Sequence, residues 1–162
     1  MSTKADFTPE QWDTIVKTPM MVGWTVVAAS PSGPVGMMKE MSAMARVVMD
    51  AGKQAAEGSL IKSVTDEIKL RAFDRKEGGA EKLAAADVKP RALALCKDAV
   101  AAIAGKGQPG EADAFRAWLV SVARGVAEAS KEGGFLGFGG KQVSEAEQAA
   151  IKDLAAALGT PA

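Results

Sequence analysis

The sequence predicts an all-α protein, a compact bundle of about six to seven helices, and three observations support this. Apolar residues recur three and four positions apart, most clearly in Phe115, Trp118, Leu119, Val122 and Val126. The β-branched residues follow the same helical spacing, without the sustained alternation of a strand. Helix-start signals precede the periodic segments, and glycine- or proline-rich stretches follow them.

The length and charge of the chain limit the number of domains and the kind of partner that it can have. The chain has 162 residues, of which 48% are apolar. This predicts one domain over residues 1–162, large enough to bury roughly two-thirds of its unfolded surface. The 20 basic and 20 acidic residues cancel, and the two signs are interspersed. Because phosphate binding needs clustered positive charge, the composition disfavours a nucleic-acid partner.

A strong helix start lies near the beginning of the sequence. Thr8 has the position of an N-cap, Pro9 suits the first helical position, and Gln11 completes a capping box. Phe7 and Trp12 flank this start at the positions of a hydrophobic staple. We therefore expect their two rings to meet across the first turn.

Two prolines are predicted to divide helices. Pro19 clashes with a continuing turn, so we expect a first helix to end near Lys17 and a second to run from Pro19 to about Ala29. This second helix is apolar on nearly every face, which predicts a central, buried position. In the same way, Pro90 is predicted to open a helix that ends near Ala104, after a separate helical turn over residues 80–86.

Two serines are predicted caps for later helices. Ser59 precedes an apolar-periodic segment, and Ser144 with Glu147 has the spacing of a capping box. Gly159 then suits the left-handed position that ends a helix. A further helix is expected over residues 111–131, from the apolar face described above.

Seven of the eight methionines fall between Met20 and Met49. In a helix predicted over residues 37–57, Met37, Met41 and Met44 share one stripe. Methionine fills irregular interiors, so we interpret this stripe as core. The alternative is a pliable groove for a partner helix or an apolar small molecule.

A glycine-rich loop separates the last two predicted helices. The apolar side chains Phe135, Leu136 and Phe138 are interleaved with glycines, among them Gly137, Gly139 and Gly140. We expect the aromatic rings to pack on the bundle while glycines supply unusual backbone angles. An anion-binding loop is the alternative, but the phosphate-loop pattern fails because Phe135 and Gln142 stand where it requires Gly and Ser or Thr.

Several kinds of chemistry are excluded by composition. The absence of histidine excludes imidazole catalysis and histidine metal sites, and a single cysteine excludes an internal disulfide. Cys96 lies on an apolar stripe and is predicted to be a small buried side chain. The remaining candidates for catalysis are carboxylates, which fall at helix starts or on polar faces: Asp66/Glu67, Glu111/Asp113 and Glu145/Glu147. No catalytic residue, metal ligand or cofactor is predicted.

Targeting signals are not apparent. Residues 1–11 are polar and mixed in charge, without a signal-peptide pattern. The longest mostly apolar run, residues 19–29, falls short of the roughly 18–20 residues that cross a bilayer. We expect a cytoplasmic protein without a membrane span.

A short internal repeat suggests symmetry. Ala29-Ser30 followed by Gly33 and Gly36 resembles Ala129-Ser130 followed by Gly133 and Gly137. Each copy follows an apolar helix that contains a tryptophan, and each precedes another helix. The bundle could therefore consist of two pseudo-symmetric helix–loop–helix units.

Two stretches carry a resemblance to known proteins. FTPEQW near the start and GGFLGFGG with VSEAE near the end resemble a family of small bacterial all-helical proteins, which implies a bacterial cytoplasmic protein without an assigned activity. The helix, glycine loop and SEAE helix are also similar, more distantly, to TerB-like (tellurite-resistance) domains. That similarity implies a stress-response role. The acidic loop of TerB-like domains is replaced here by Ala129-Ser130 and Gly133-Gly134, so no metal ligand is carried over.

Three functions remain open from the sequence. The first is a non-catalytic protein that acts through protein contacts, including a homodimer. The second is a small-molecule or lipid carrier, with its cavity lined by the methionine-rich helices and the loop 133–140. The third is an enzyme that uses carboxylates, for which the sequence assembles no catalytic group.

Overall fold

The computed structural model describes residues 1–29, 33–74, 84–132 and 143–160. Over these ranges the chain is helical, with no strand, which confirms the all-α prediction. A 3-10 turn, Lys4–Asp6, precedes six α-helices. They are α1 (Pro9–Ala29), α2 (Gly33–Gln54), α3 (Leu60–Asp74), α4 (Ala85–Lys106), α5 (Glu111–Glu132) and α6 (Glu145–Leu158).

The predicted break at Pro19 is wrong. Helix α1 continues through Pro19, although proline removes one backbone hydrogen bond and its ring crowds the preceding turn. Residues on both sides of the proline are buried, with Ile15, Thr18 and Val22 all at 0% exposure. Packing around the helix therefore outweighs the local preference of proline.

Helix α1 lies at the centre of the bundle. It contacts each of the other five helices, as its nearly uniform apolar surface predicts. Helix α4 packs along α1 in the opposite direction, with Thr18 Oγ1 donating to the Leu95 carbonyl at 3.4 Å. The central position predicted for residues 19–29 is confirmed, within a longer helix than expected.

Helix α4 differs from the prediction in the same way. It begins at Ala85, so Pro90 lies inside the helix instead of opening it. Pro90 is exposed, so water can reach the backbone carbonyl that the proline leaves without a donor. Residues 75–83, which include most of the separate turn predicted over 80–86, lie outside the described residues.

The predicted caps are confirmed. At the start of α1, the Gln11 amide donates to Thr8 Oγ1 at 3.2 Å and the Thr8 amide donates to Gln11 Oε1 at 3.1 Å. The rings of Phe7 and Trp12 stack with centroids 6.0 Å apart. The Lys62 amide donates to Ser59 Oγ at the start of α3.

The last helix has the predicted capping box and stop. The Glu147 amide donates to Ser144 Oγ at 3.2 Å, and the Ser144 amide donates to Glu147 Oε2 at 2.8 Å. Gly159 ends the helix in the left-handed conformation, with φ of 68°.

Helix α2 approaches two neighbours closely through glycines. A Cβ added at Gly52 would lie 2.6 Å from the Cβ of Thr65 in α3. One added at Gly125 in α5 would lie 2.9 Å from Cγ1 of Val47. Real side chains do not tolerate such distances without movement, so each glycine sets how near the two helices can pack.

Charged side chains connect α3 to α1. The Arg71 guanidinium donates to Asp13 Oδ1 at 2.6 Å and to Glu67 Oε1 at 3.0 Å. Lys4 Nζ lies 3.2 Å from the same Glu67 oxygen, and Lys17 pairs with Asp13. The network joins the 3-10 turn, α1 and α3 on one side of the bundle.

The internal repeat is only partly covered by the described residues, because 30–32 and 133–142 fall outside them. The arrangement as two pseudo-symmetric units stays a prediction, and so does the single domain over residues 1–162.

Candidate functional site

The glycine-rich loop lies outside the described residues. This applies to all its predicted site residues, which are Phe135, Leu136, Gly137, Phe138, Gly139 and Gly140. Their proposed packing on the bundle and their role in binding stay predictions.

The predicted methionine stripe divides into a buried part and an exposed part. Met44 is 2% exposed, whereas Met37 is 42% and Met41 is 37% exposed. Met38, one position further round the helix, is 74% exposed. The interpretation of the stripe as core is therefore correct for Met44 and wrong for Met37 and Met41.

The lengths of the neighbouring helices explain the exposure of Met37. A side chain added at Gly23 of α1 would meet both Met44 and Val126 of α5, so these three residues lie at one level of the bundle. Beyond that level, α1 ends at Ala29 and α5 at Glu132, roughly 9 Å further along. Helix α2 extends roughly 16 Å in the same direction, because it runs opposite to α1. The inward stripe of α2 therefore reaches Met37 where α1 and α5 are ending.

The three exposed methionines form one continuous surface. Met37 and Met41 are four residues apart, and Met38 and Met41 are three apart, so their side chains are neighbours on the helix. We call Met37, Met38 and Met41 the methionine surface. The other large apolar side chains exposed in the described part of the chain, Met1 and Leu70, lie outside α2.

A carboxylate lies beside the methionine surface. Glu40 is three residues after Met37 and four before Met44, on the same side of α2. Its Oε2 atom is inaccessible to solvent and has no hydrogen-bond partner among the described residues. Burying a carboxylate oxygen without a donor costs free energy.

A groove lies between α1 and α4. It has a volume of about 360 Å³ and is lined by Glu10, Gln11, Thr14, Asp98, Ala101 and Ala102. Four of these six residues are polar, and none of them is a methionine. The apolar cavity predicted for a carrier is thus not the groove seen here, and the carrier function stays a prediction.

Cys96 is confirmed as a buried side chain. It is 0% exposed, and burial raises the pKa of its thiol to about 12. A thiol with so high a pKa is almost wholly protonated at neutral pH and is a poor nucleophile.

The predicted carboxylate pairs are engaged in local structure. Burial raises the pKa of Glu67 and of Glu111, but hydrogen bonds outweigh it and both values are lowered overall. The donors to Glu67 are Arg71 and Lys4; those to Glu111 are Ser2 and the Gln108 amide. A general acid needs the opposite shift, towards a raised pKa.

The remaining members of these pairs are also engaged in local contacts, where the structure shows those contacts. Hydrogen bonds from Lys62 and Lys69 lower the pKa of Asp66. Asp113 accepts from Arg116 at 2.6 Å, and Glu147 belongs to the capping box of α6. These carboxylates serve as caps and ion pairs.

Within the described ranges, no group of three or more acidic or cysteine side chains lies close enough together to hold a metal ion. Each helix in these ranges is too short or too polar to cross a membrane.

No family model, curated protein or solved structure matches the chain. The two family resemblances stay predictions.

Proposed function

We propose that the protein is a non-catalytic helical module that acts through protein contacts, and that its contact site is the methionine surface. The observation that supports this most directly is the exposure of three adjacent methionines on α2, two of which, Met37 and Met41, lie on its inward stripe. The largest continuous apolar patch on a soluble monomer is often functional.

The chemistry of methionine favours a protein partner. Its unbranched, polarisable side chain adapts to differently shaped apolar surfaces, which suits a site that receives another protein. The methionine surface lies on the first helical turns of α2, near the ends of α1 and α5.

Site-specific photo-crosslinking tests the proposal. A photoreactive amino acid is placed at position 38 in the full chain, and irradiated cells that express it are compared with cells that carry it at position 70. Leu70 is 59% exposed and apolar but lies on α3, which makes it a matched control. We expect discrete protein adducts from position 38 that are absent from position 70.

Light scattering and a second variant complete the test. Adducts at position 38 should disappear when Met41→Asp is added, because a carboxylate on the neighbouring turn opposes apolar contact. Equal labelling from positions 38 and 70, or adducts that survive Met41→Asp, would contradict the proposal. The molar mass in solution shows whether the adduct partner is a second copy.

A further inference from the structure

Residues 1–7 lie where α1 begins, beside the turn between α4 and α5, and we call them the strap. Ser2 of the strap is 1% exposed. Its amide donates to Glu111 Oε1 at 2.8 Å, and its Oγ accepts from the Gln108 amide at 3.2 Å. A buried residue therefore attaches the strap to the turn between α4 and α5.

Two further contacts attach the strap to α3 and to α1. Lys4 Nζ lies 3.2 Å from Glu67 Oε1 on α3. Phe7 is 7% exposed and stacks on Trp12 of α1, with the ring centroids 6.0 Å apart. The strap's other large apolar side chain, Met1, is 70% exposed. The apolar part of the attachment therefore depends mainly on the single ring of Phe7.

The groups of the bundle that hydrogen-bond to the strap each have another partner within the bundle. The Gln108 amide also donates to Glu111 Oε2 at 2.8 Å, and Glu67 Oε1 also accepts from Arg71 at 3.0 Å. A buried polar group that loses its only partner opposes opening. Because these groups keep a partner when the strap leaves, that cost does not arise for them.

The hydrogen bonds on either side of the Phe7–Thr8 junction are local. Within the strap, the Thr3 amide donates to Asp6 Oδ2 at 2.7 Å, and the Asp6 amide donates to the Thr3 carbonyl at 3.1 Å. Within α1, Thr8 exchanges its capping hydrogen bonds with Gln11. The strap can therefore turn about this junction with its own fold and the cap of α1 both intact.

We propose that the strap opens as one unit, hinged between Phe7 and Thr8, while the described helices stay packed. Opening exposes Ser2 and the face of Trp12 that Phe7 covers. Segments with few buried apolar contacts open at much lower free energy than the core of a domain. This device lies at the opposite end of α1 from the methionine surface, and it does not depend on the proposed function.

Thiol labelling tests the proposal with two substitutions in the full chain. Ser2→Cys places a thiol at a buried position of the strap, Thr3→Cys places one at an exposed position, and the buried Cys96 reports opening of the core. We expect the thiol at position 2 to react at least about tenfold more slowly than the thiol at position 3. It should react at least about a thousandfold faster than Cys96.

Two further variants separate the strap from the core. Met44→Ala should raise the labelling rate of Cys96 about a hundredfold, because it opens a cavity in the core, and should leave the rate at position 2 unchanged. Phe7→Ala should raise the rate at position 2 about tenfold, because the buried ring is lost, and should leave the rate at position 3 unchanged. Circular dichroism checks that each variant is folded.

Trypsin provides a test on the unsubstituted chain. Cleavage after Lys4 requires the strap to open, whereas cleavage after Arg124, inside α5, requires that helix to unfold. We expect the initial rate of cleavage after Lys4 to be at least about tenfold higher, as measured by mass spectrometry.

Each measurement has a result that would overturn the proposal. Labelling at position 2 that is as slow as that of Cys96 would mean that the strap opens only with the core. Labelling there that is as fast as at position 3 would mean that the strap is not closed. Cleavage after Lys4 that is no faster than cleavage after Arg124 would also exclude a separate opening.

Discussion

The two halves of α2 belong to one helix and one inward stripe, yet they have opposite surroundings. From Met44 onwards the stripe is enclosed by α1, α3 and α5, so closely that Gly52 leaves no space for a methyl group beside Thr65. From Met41 back to Met37 the same stripe is open to solvent. The comparison shows that a residue's place on a helix gives its direction, while its burial depends on how far the neighbouring helices extend.

The largest expected effect on stability comes from replacing a methionine of the stripe by alanine, and it should differ between the enclosed Met44 and the exposed Met41. Met44→Ala should lower the free energy of unfolding by about 3 kcal/mol, because it leaves a cavity in a closed part of the core. Met41→Ala, one turn away, should lower it by only about 1 kcal/mol, because the Met41 side chain is partly exposed and its loss leaves no closed cavity. Urea unfolding measures both. Similar losses for the two variants would remove the distinction between the two halves.

Replacing either of two glycines by alanine should change the stability of the protein, in opposite directions at the two positions. Gly52→Ala should destabilise by about 1–3 kcal/mol, because the new methyl group overlaps the buried Thr65. Gly105→Ala in α4 should stabilise by about 0.5 kcal/mol, because a Cβ there meets nothing within 4 Å and alanine favours a helix. Thermal unfolding measures the two shifts. A gain in stability for Gly52→Ala would mean that α2 and α3 are further apart than described.

Low pH should lower the stability of the protein by weakening the ion pairs between α1 and α3. Burial raises the pKa of Asp13 and of Glu67, but hydrogen bonds from the neighbouring basic residues outweigh it and hold both values below normal. Their contribution is therefore complete above the unfolded pKa near 4 and is lost as the pH falls through the folded values. We expect Arg71→Leu to remove about 1 kcal/mol at pH 7 and less at pH 2.

The control for this acid dependence is Arg46→Leu, at an exposed arginine of α2 outside the network. Unfolding in urea between pH 7 and pH 2 should show the wild-type slope for Arg46→Leu and a shallower one for Arg71→Leu. Equal slopes would show that the network around Glu67 contributes nothing to acid stability.

The smallest effect on stability should follow oxidation of the exposed methionines in the first half of α2. Peroxide should convert Met38 to its sulfoxide first, then Met37 and Met41, while the buried Met44 reacts slowly. Oxidation of the exposed three should change the free energy of unfolding by less than about 0.5 kcal/mol. Peptide mass mapping gives the order, and fast oxidation of Met44 would contradict its burial.

Local sequence rules predicted the features that depend on a few adjacent residues. The Thr8–Gln11 and Ser144–Glu147 caps and the Phe7–Trp12 contact were all found, because their partners lie within five residues of each other. The helical class followed from periodicity, which each segment carries by itself.

The errors concern properties that the neighbouring helices decide. Pro19 was expected to end a helix, but contacts on several sides of α1 preserve it. Periodicity gives Met37 and Met41 an inward direction, but it does not tell how much of each side chain the neighbouring elements cover. The contact of the Ser2 amide with Glu111, 2.8 Å long and 109 residues apart in the chain, has no local sequence signal.

The burial of Cys96 has a practical consequence. It is the chain's one cysteine, so a thiol reagent added to the folded protein can mark a single atom. That atom reacts only after α4 separates from its neighbours, because the closed bundle excludes both the reagent and the thiolate form. The rate at which the Cys96 thiol is labelled therefore measures how often the core opens, and no engineered probe is needed.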